Sequence, residues 1–188
     1  MNTYAELAIT TNFSFLRGAS HPQEMVARAD ELGLTAIGIA DRNSFAGVVR
    51  AYDEARKRDI KLLVGTRLVT GDGFEVLAYP TDRAAYGRLC RLITAGNLKA
   101  KKGECELTFE QILSAGEGQI FIALPPNFDR HPEVPAEGGP RRMHGPRCHP
   151  SRLATLAPQG DGNESFTSRL ATLARAAPGR TFLAGAHY

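Results

Sequence analysis

Four groups of side chains in this sequence have the chemistry to do work. The first is Asp41-Arg42-Asn43-Ser44, which leaves an apolar run, together with Gly65-Thr66-Arg67-Leu68 at the end of another and the loop Thr10–Gly18 after a third. In folds that alternate strand and helix, working residues collect on the loops leaving the C-terminal ends of strands. A carboxylate there can ligate a cation or pair with guanidinium, whereas arginine stays protonated and only donates. The second group is His131, His144, Cys148 and His149. Imidazole and thiolate are zinc ligands, but the H-x₃-C-H string lacks a flanking zinc-binding turn, so it reads as part of a flexible segment. The third is the pair of isolated histidines. His21 reads as a surface residue at a helix start, and His187, with no Asp before it, reads as no ligand. The fourth is the run Lys99, Lys101, Lys102, read as a solvated loop, with contact to nucleic acid as the alternative. Phosphate loops of the GxxxxGK[ST] and GxGxxG types and the GxSxG nucleophile elbow are absent, and Ser14 has no histidine partner legible in sequence, so it is expected to cap its own loop.

The elements that must position these residues alternate. Tyr4–Thr10 predicts a strand. A helix is expected from Ser20, where Ser20 and Gln23 make a capping box and Met25, Val26, Ala29 and Leu32 share a face before Gly33. Thr35–Ala40 predicts a second strand. Asn43 or Ser44 is expected to cap a helix with Phe45, Val48, Val49, Tyr52 and Ala55 inward. Residues 60–70 predict a third strand, and Gly71–Gly73 a reversal into 74–79. Thr81 or Asp82 should cap a helix with Tyr86, Leu89, Cys90 and Ile93 inward and Gly96 at its end. Asn97–Glu106 should be exposed. Thr108 and Gln111 make a capping box for a short helix, and Gln119–Ala123 predicts a strand. The alternation implies parallel βα units, hence an α/β open sheet or barrel.

Composition adds bounds. The chain has 188 residues, 43% hydrophobic and 23% charged, enough for one soluble domain. A net charge of +3 permits contact with nucleic acid without arguing for it. Trp is absent and aromatics are 7%, which argues against a stacking platform for single strands. Cys90, Cys105 and Cys148 lie far apart, consistent with free thiols in a reducing compartment. With no long apolar run and no secretion signal, a cytoplasmic location without membrane contact is expected. Three stretches follow: 1–124 as the first βα units, 125–164 as a Pro/Gly/Arg-rich insertion or linker, and 165–188 as a further unit of helix (Ser165–Ala177) and strand (Thr181–Ala184).

YAELAITTNFSFLRGASHPQEMV, IADRNSFAGVVRAYDEAR and LLVGTRLV, in that order and spacing, resemble the first three motifs of PHP domains from C-family DNA polymerases. TNFSFLRGAS, DRNSFAGVVRA and FEVLAYPTDRAAYGRLCRLIT look closest to the error-prone subgroup. The resemblance covers residues 4 to about 123 well, 165–188 loosely, and not the segment between. It implies an α/β fold, the distorted seven-stranded βα barrel of the PHP type. It implies too that active members hold up to three metal ions at the C-terminal end of the barrel and hydrolyse phosphoesters, in some polymerases as a 3′–5′ exonuclease.

Carried over position by position, the resemblance puts Ala8 and Thr10 at the places of two ligand histidines, Asp41-Arg42 at an Asp-His pair, and Arg67 at a ligand glutamate. Arg17 stands where related sequences often carry Asp. Only Asp41 retains a ligand type, and one carboxylate holds no multinuclear centre. The expectation is a vestigial site with no bound metal, no cofactor and no catalytic residue, Asp41 pairing with at least one arginine. The chain then reads as a non-catalytic, incomplete PHP domain of an error-prone polymerase, with a structural part in replication, damage-induced mutagenesis and translesion synthesis. Its partners would be the rest of the polymerase, DNA and mutagenesis-complex proteins. The alternatives are a stand-alone metal-dependent phosphoesterase or 3′–5′ exonuclease, and a truncated reading frame without a function of its own. The parent family is a nucleotidyltransferase, but this chain carries no polymerase carboxylates and is expected to be inactive alone.

Overall fold

The computed structural model describes residues 4–126 and 165–184. Six strands, β1 (Ala5–Ile9), β2 (Ala36–Arg42), β3 (Lys61–Val69), β4 (Glu75–Pro80), β5 (Gln119–Leu124) and β6 (Thr181–Leu183), form one sheet in sequence order. Five helices cover it: α1 (Pro22–Glu31), α2 (Val48–Arg58), α3 (Arg83–Lys99), α4 (Phe109–Ser114) and α5 (Phe166–Ala176). No described helix is long and apolar enough to cross a membrane.

The sheet is mixed, not wholly parallel. β1, β2 and β3 are parallel, β4 is antiparallel to both of its neighbours, and β6 is parallel to β5. The turn at Gly71–Gly73, with Gly73 at φ 87°, reverses the chain into β4 as expected. The second reversal has a different cause. After α3 the chain doubles back across that helix, where the Glu106 N–H donates to the Gly96 carbonyl at 3.2 Å. Gly96 therefore does not end α3, which runs on to Lys99. A Cβ on Gly96 would stand 2.7 Å from both Cys105 Sγ and Leu107 Cδ2, so glycine is required for the crossing.

Two apolar clusters fill the helical side. Val26, Ala29, Ile37, Ile39, Ala51 and Ala55 join α1 and α2 to β2. Leu68, Val76, Leu89, Ile112, Phe121 and Leu173 join α3, α4 and α5 to β3–β5. The α5–β6 unit enters this core through Leu173 and Ala177. A third cluster, Ala40, Leu77, Tyr79 and Leu124 with Leu7 and Ala8, lies on the opposite side. There the Tyr79 hydroxyl of β4 donates to the Leu7 carbonyl of β1, spanning β2 and β3. A flat sheet would hold β1 and β4 about 14 Å apart, so this bond requires the sheet to curl. The result is a half-barrel with Tyr79 inside it, its hydroxyl pKa pushed up chiefly by burial.

Several local expectations shift. The N-cap of α1 is His21, one residue later than expected, and the Glu24 carboxylate accepts from the His21 N–H at 2.8 Å. The cap of α2 is Gly47, not Asn43 or Ser44. Val49 and Tyr52 are exposed, because the small Ala51 and Ala55 make the close approach to α1. Leu32, the C-cap of α1, is exposed as well. The caps at Asp82, Thr108 and Ser165 are present.

Candidate functional site

Strand alternation divides the predicted site. Ile37 and Ile39 face the helices, and so does Asp41. Ala40 faces the inside of the curl, and so does Arg42. Asp41 and Arg42 are thus aimed to opposite sides of β2, and among the described residues Asp41 meets no guanidinium. Its carboxylate, 1% exposed, accepts from Thr11 N–H at 2.8 Å, Thr11 Oγ1 at 2.8 Å and Ser14 Oγ at 2.7 Å. The expected Asp41–arginine pairing is replaced by hydroxyls and an amide. The loop that follows β1 brings those donors over the end of β2. Gly47 permits the approach, since a Cβ there would stand 2.7 Å from Asp41 Oδ2. Ser14 Oγ also accepts from the Arg42 N–H at 2.9 Å, so the hydroxyl ties loop to strand rather than capping its own turn.

Inside the curl the arginines find a different carboxylate. β2 and β3 pair Arg42 directly with Arg67. Like charges placed opposite one another repel, and Glu75 at the start of β4 stands between them. Glu75 meets Arg42 at 3.6 Å and Arg67 at 3.4 Å. Arg67 is 4% exposed, and Arg42 is half-buried. Burial holds the Arg42 pKa below its ordinary value, with the positive charge of Arg17 next in effect and Glu75 opposing. Ala8 lies on the same inner face, and Thr10 is half-buried just after β1.

The donor set does not fit a metal centre. Of the five positions, Ala8 has no donor, Arg42 and Arg67 place fixed cations where ligands would be needed, and Asp41 is turned away and saturated by its three donors. Among the described residues no three His, Cys, Asp or Glu gather in a ligand cluster. No reaction step is therefore derived through a metal.

Glu75, Thr11 and Tyr79 were not singled out in sequence. Glu75 was within reach of it: a reversal centred on Gly71–Gly73 pairs Val69 with Glu75, and period two then sets Glu75 diagonal to Arg67. Asn43 takes another part, because its positive φ of 45° turns its amide onto Val69, donating at 3.2 Å and accepting at 2.9 Å. Cys90 and Cys105 are free. His21 is exposed, with Nδ1 3.0 Å from the Asn12 amide. His131, His144, Cys148, His149 and His187 lie outside the described residues.

A curled, helix-backed α/β sheet with its polar cluster at the C-terminal strand ends defines a barrel-type α/β class. The match of the PHP domain family to residues 6–136 makes the membership specific: this chain belongs to the PHP domain family. Error-prone DNA polymerases are similar to it. That of Caulobacter vibrioides is 56% identical over 134 residues, 68% of this chain and 12% of the relative. One from Rhodopseudomonas palustris is 62% identical over 114 residues, 58% of this chain and 10% of the relative. One from a Bradyrhizobium strain is 49% identical over 155 residues, 72% of this chain and 13% of the relative. The chain thus spans 10–13% of the length of these relatives. Among solved structures, a Chromobacterium violaceum amidohydrolase with bound sulfate and no metal shares the fold. Its TM-score is 0.52 at 13% identity, covering 65% of this chain and 67% of that one. A Bifidobacterium adolescentis protein assigned as a metal-dependent phosphoesterase gives 0.52 at 17%, covering 64% and 66%.

Proposed function

We propose that this chain is a non-catalytic PHP domain with a structural role in an error-prone DNA polymerase, and through it in replication, damage-induced mutagenesis and translesion synthesis. One observation carries the reading. Where the family resemblance calls for a glutamate and a histidine ligand, Arg67 and Arg42 share Glu75 instead. A carboxylate held by two guanidiniums is charge-compensated without metal, and the pair of cations repels any divalent ion approaching the inner face. Ala8, Thr10, Asp41, Arg42 and Arg67 are then vestigial positions, with no catalytic residue among them. In this reading residues 1–124 and 165–188 form one domain interrupted by 125–164. It works in the cytoplasm against the rest of the polymerase, DNA and proteins of a mutagenesis complex. Elemental analysis of the purified chain, with aryl-phosphate and oligonucleotide hydrolysis in manganese, tests it. The expected result is substoichiometric metal and no turnover above buffer. Stoichiometric metal with turnover would falsify the proposal.

A further inference from the structure

A second feature lies beside the charge cluster. The loop after β1 and the loop between α3 and α4 enclose an open cleft of about 810 Å³. Phe13, Phe15, Arg17, Arg42, Lys101 and Lys102 line it. Glu104 and Glu106 also stand on its wall, so four cations meet two carboxylates. Among the described residues, only Arg42 of the four cations has an ion pair, with Glu75, which lies outside the lining. Lys101 and Lys102 are exposed, as is Arg17.

The apolar component is unusual. Phe15 is 84% exposed and Leu16 85% exposed, at a cost that a flexible loop would avoid by folding them inward. This loop cannot do so freely. Thr11 and Ser14 are tied to the buried Asp41, Ser14 N–H donates to Thr11 C=O at 2.9 Å, Arg17 N–H to Ser14 C=O at 2.9 Å, and Leu16 sits at φ 61°. Asp41 thereby holds the Phe15 ring outward on a cleft wall that carries four cations, while Phe13, 38% exposed, has the Arg50 guanidinium 5.5 Å from its ring centroid. Low aromatic content argues against a stacking platform for many bases, but content averages the whole chain, and one exposed ring on a pinned loop can take one base.

We propose that this cleft binds single-stranded nucleic acid, its phosphates paired with Arg17, Lys101, Lys102 and Arg42 and a base stacked on Phe15, with no metal between protein and phosphate and no hydrolysis. The absence of hydrolysis rests on the non-catalytic reading; the binding does not. Spaced cations alone would take any polyanion. The exposed Phe15 ring beside them selects a strand whose bases are unstacked, since every base has a π-face to offer.

Fluorescence anisotropy of a labelled oligothymidylate of about twelve nucleotides tests this on the full chain, in EDTA at about 50 mM salt. Saturable binding is expected. The triple variant R17A/K101A/K102A should weaken it at least about tenfold and flatten the log–log salt slope by about 2, at roughly 0.7 for each phosphate that loses its cation. Phe15→Ala should weaken it about tenfold with the slope unchanged. R83A/R91A, which removes two cations outside the cleft lining, should leave it within about twofold. All these positions except Phe15 are solvated cations, and thermal melts should match the unsubstituted chain. Absence of saturable binding overturns the proposal. Equal weakening by R83A/R91A, or none by the triple variant and Phe15→Ala, overturns it as well. Shortening of the oligonucleotide in manganese, with binding still dependent on Phe15 and Arg17, would instead sink the non-catalytic reading and leave the binding site standing.

Discussion

Glu75 and Asp41 are the two carboxylates on which the strand ends depend, and they work on opposite faces of the sheet. Removing Glu75 leaves Arg42 and Arg67 facing each other without the carboxylate between them. Glu75→Ala is expected to cost about 2–3 kcal/mol in urea unfolding, below the full cost of stripping a buried pair because Arg42 is half-exposed. Adding Arg67→Met should recover most of that loss, since an apolar side chain of similar length needs no partner. A double variant no more stable than Glu75→Ala alone would refute this account of charge compensation. Asp41→Ala strands three buried donors and should cost about 3 kcal/mol. It should also release the loop, read as faster trypsin cleavage after Arg17. Asp41→Asn should cost less, because the amide oxygen can keep the Thr11 N–H and Ser14 hydroxyl while the Thr11 hydroxyl reverses to accept from the amide nitrogen.

At the scale of elements, the inside of the half-barrel is set by one ring. Tyr79 lies over Gly38 of β2 and Gly65 of β3, and a Cβ at Gly38 would stand 2.5 Å from the Tyr79 hydroxyl. Gly38→Ala should therefore destabilise by about 2 kcal/mol through overpacking, and Tyr79→Phe by about 1 kcal/mol through removal of the hydrogen bond to Leu7. Together they should cost less than the sum, because the phenylalanine removes the atom that the new methyl meets. A strictly additive double-mutant cycle would refute this packing account. The α5 helix is held differently. Arg169 pairs with Asp72 in the β3–β4 turn and lies 5.7 Å and 5.4 Å from the ring centroids of Phe74 and Phe109. Arg169→Ala should cost about 1–2 kcal/mol at neutral pH. The Arg169 guanidinium holds the Asp72 carboxyl well below the usual carboxylate range, against the opposing effect of burial. Because the folded pKa is the lower one, this contribution is complete above the unfolded value of about 4 and is lost as pH falls through the folded value. The gap between the unsubstituted chain and Arg169→Ala should hold steady from neutral pH to about 5 and narrow only in stronger acid.

For the whole molecule, the question is what replaces metal as the organiser of the barrel end. A metal site occupied at a hundred times its Kd would add about 2.7 kcal/mol of stability, a shift of several degrees in Tm. With Glu75 already compensated by two arginines, neither EDTA nor manganese should move Tm by more than about 1 °C; a rise of several degrees with manganese would count against the vestigial assignment. The sheet ends on β1 and β6 among the described residues, and Phe182 and Leu183 of β6 are exposed. An exposed apolar edge of this kind promotes strand-to-strand association.

The local order of the fold was legible in the sequence because it follows from local physics. Apolar periodicity set strands and helices within a few residues, Thr108 with Gln111 marked a cap, and Gly71–Gly73 marked the reversal. Chemical identity was legible too: an alanine or an arginine at a ligand position excludes that ligand whatever the fold does. What tertiary structure alone decided was which charge meets which. Asp41 and Arg42 are neighbours in the chain, but strand alternation sends them to opposite faces, and only the pairing of β3 with β4 brings Glu75 to the arginines. The role of Gly96 was hidden for the same reason, since a glycine that ends a helix and one that lets another segment cross it look alike until the crossing segment is in place.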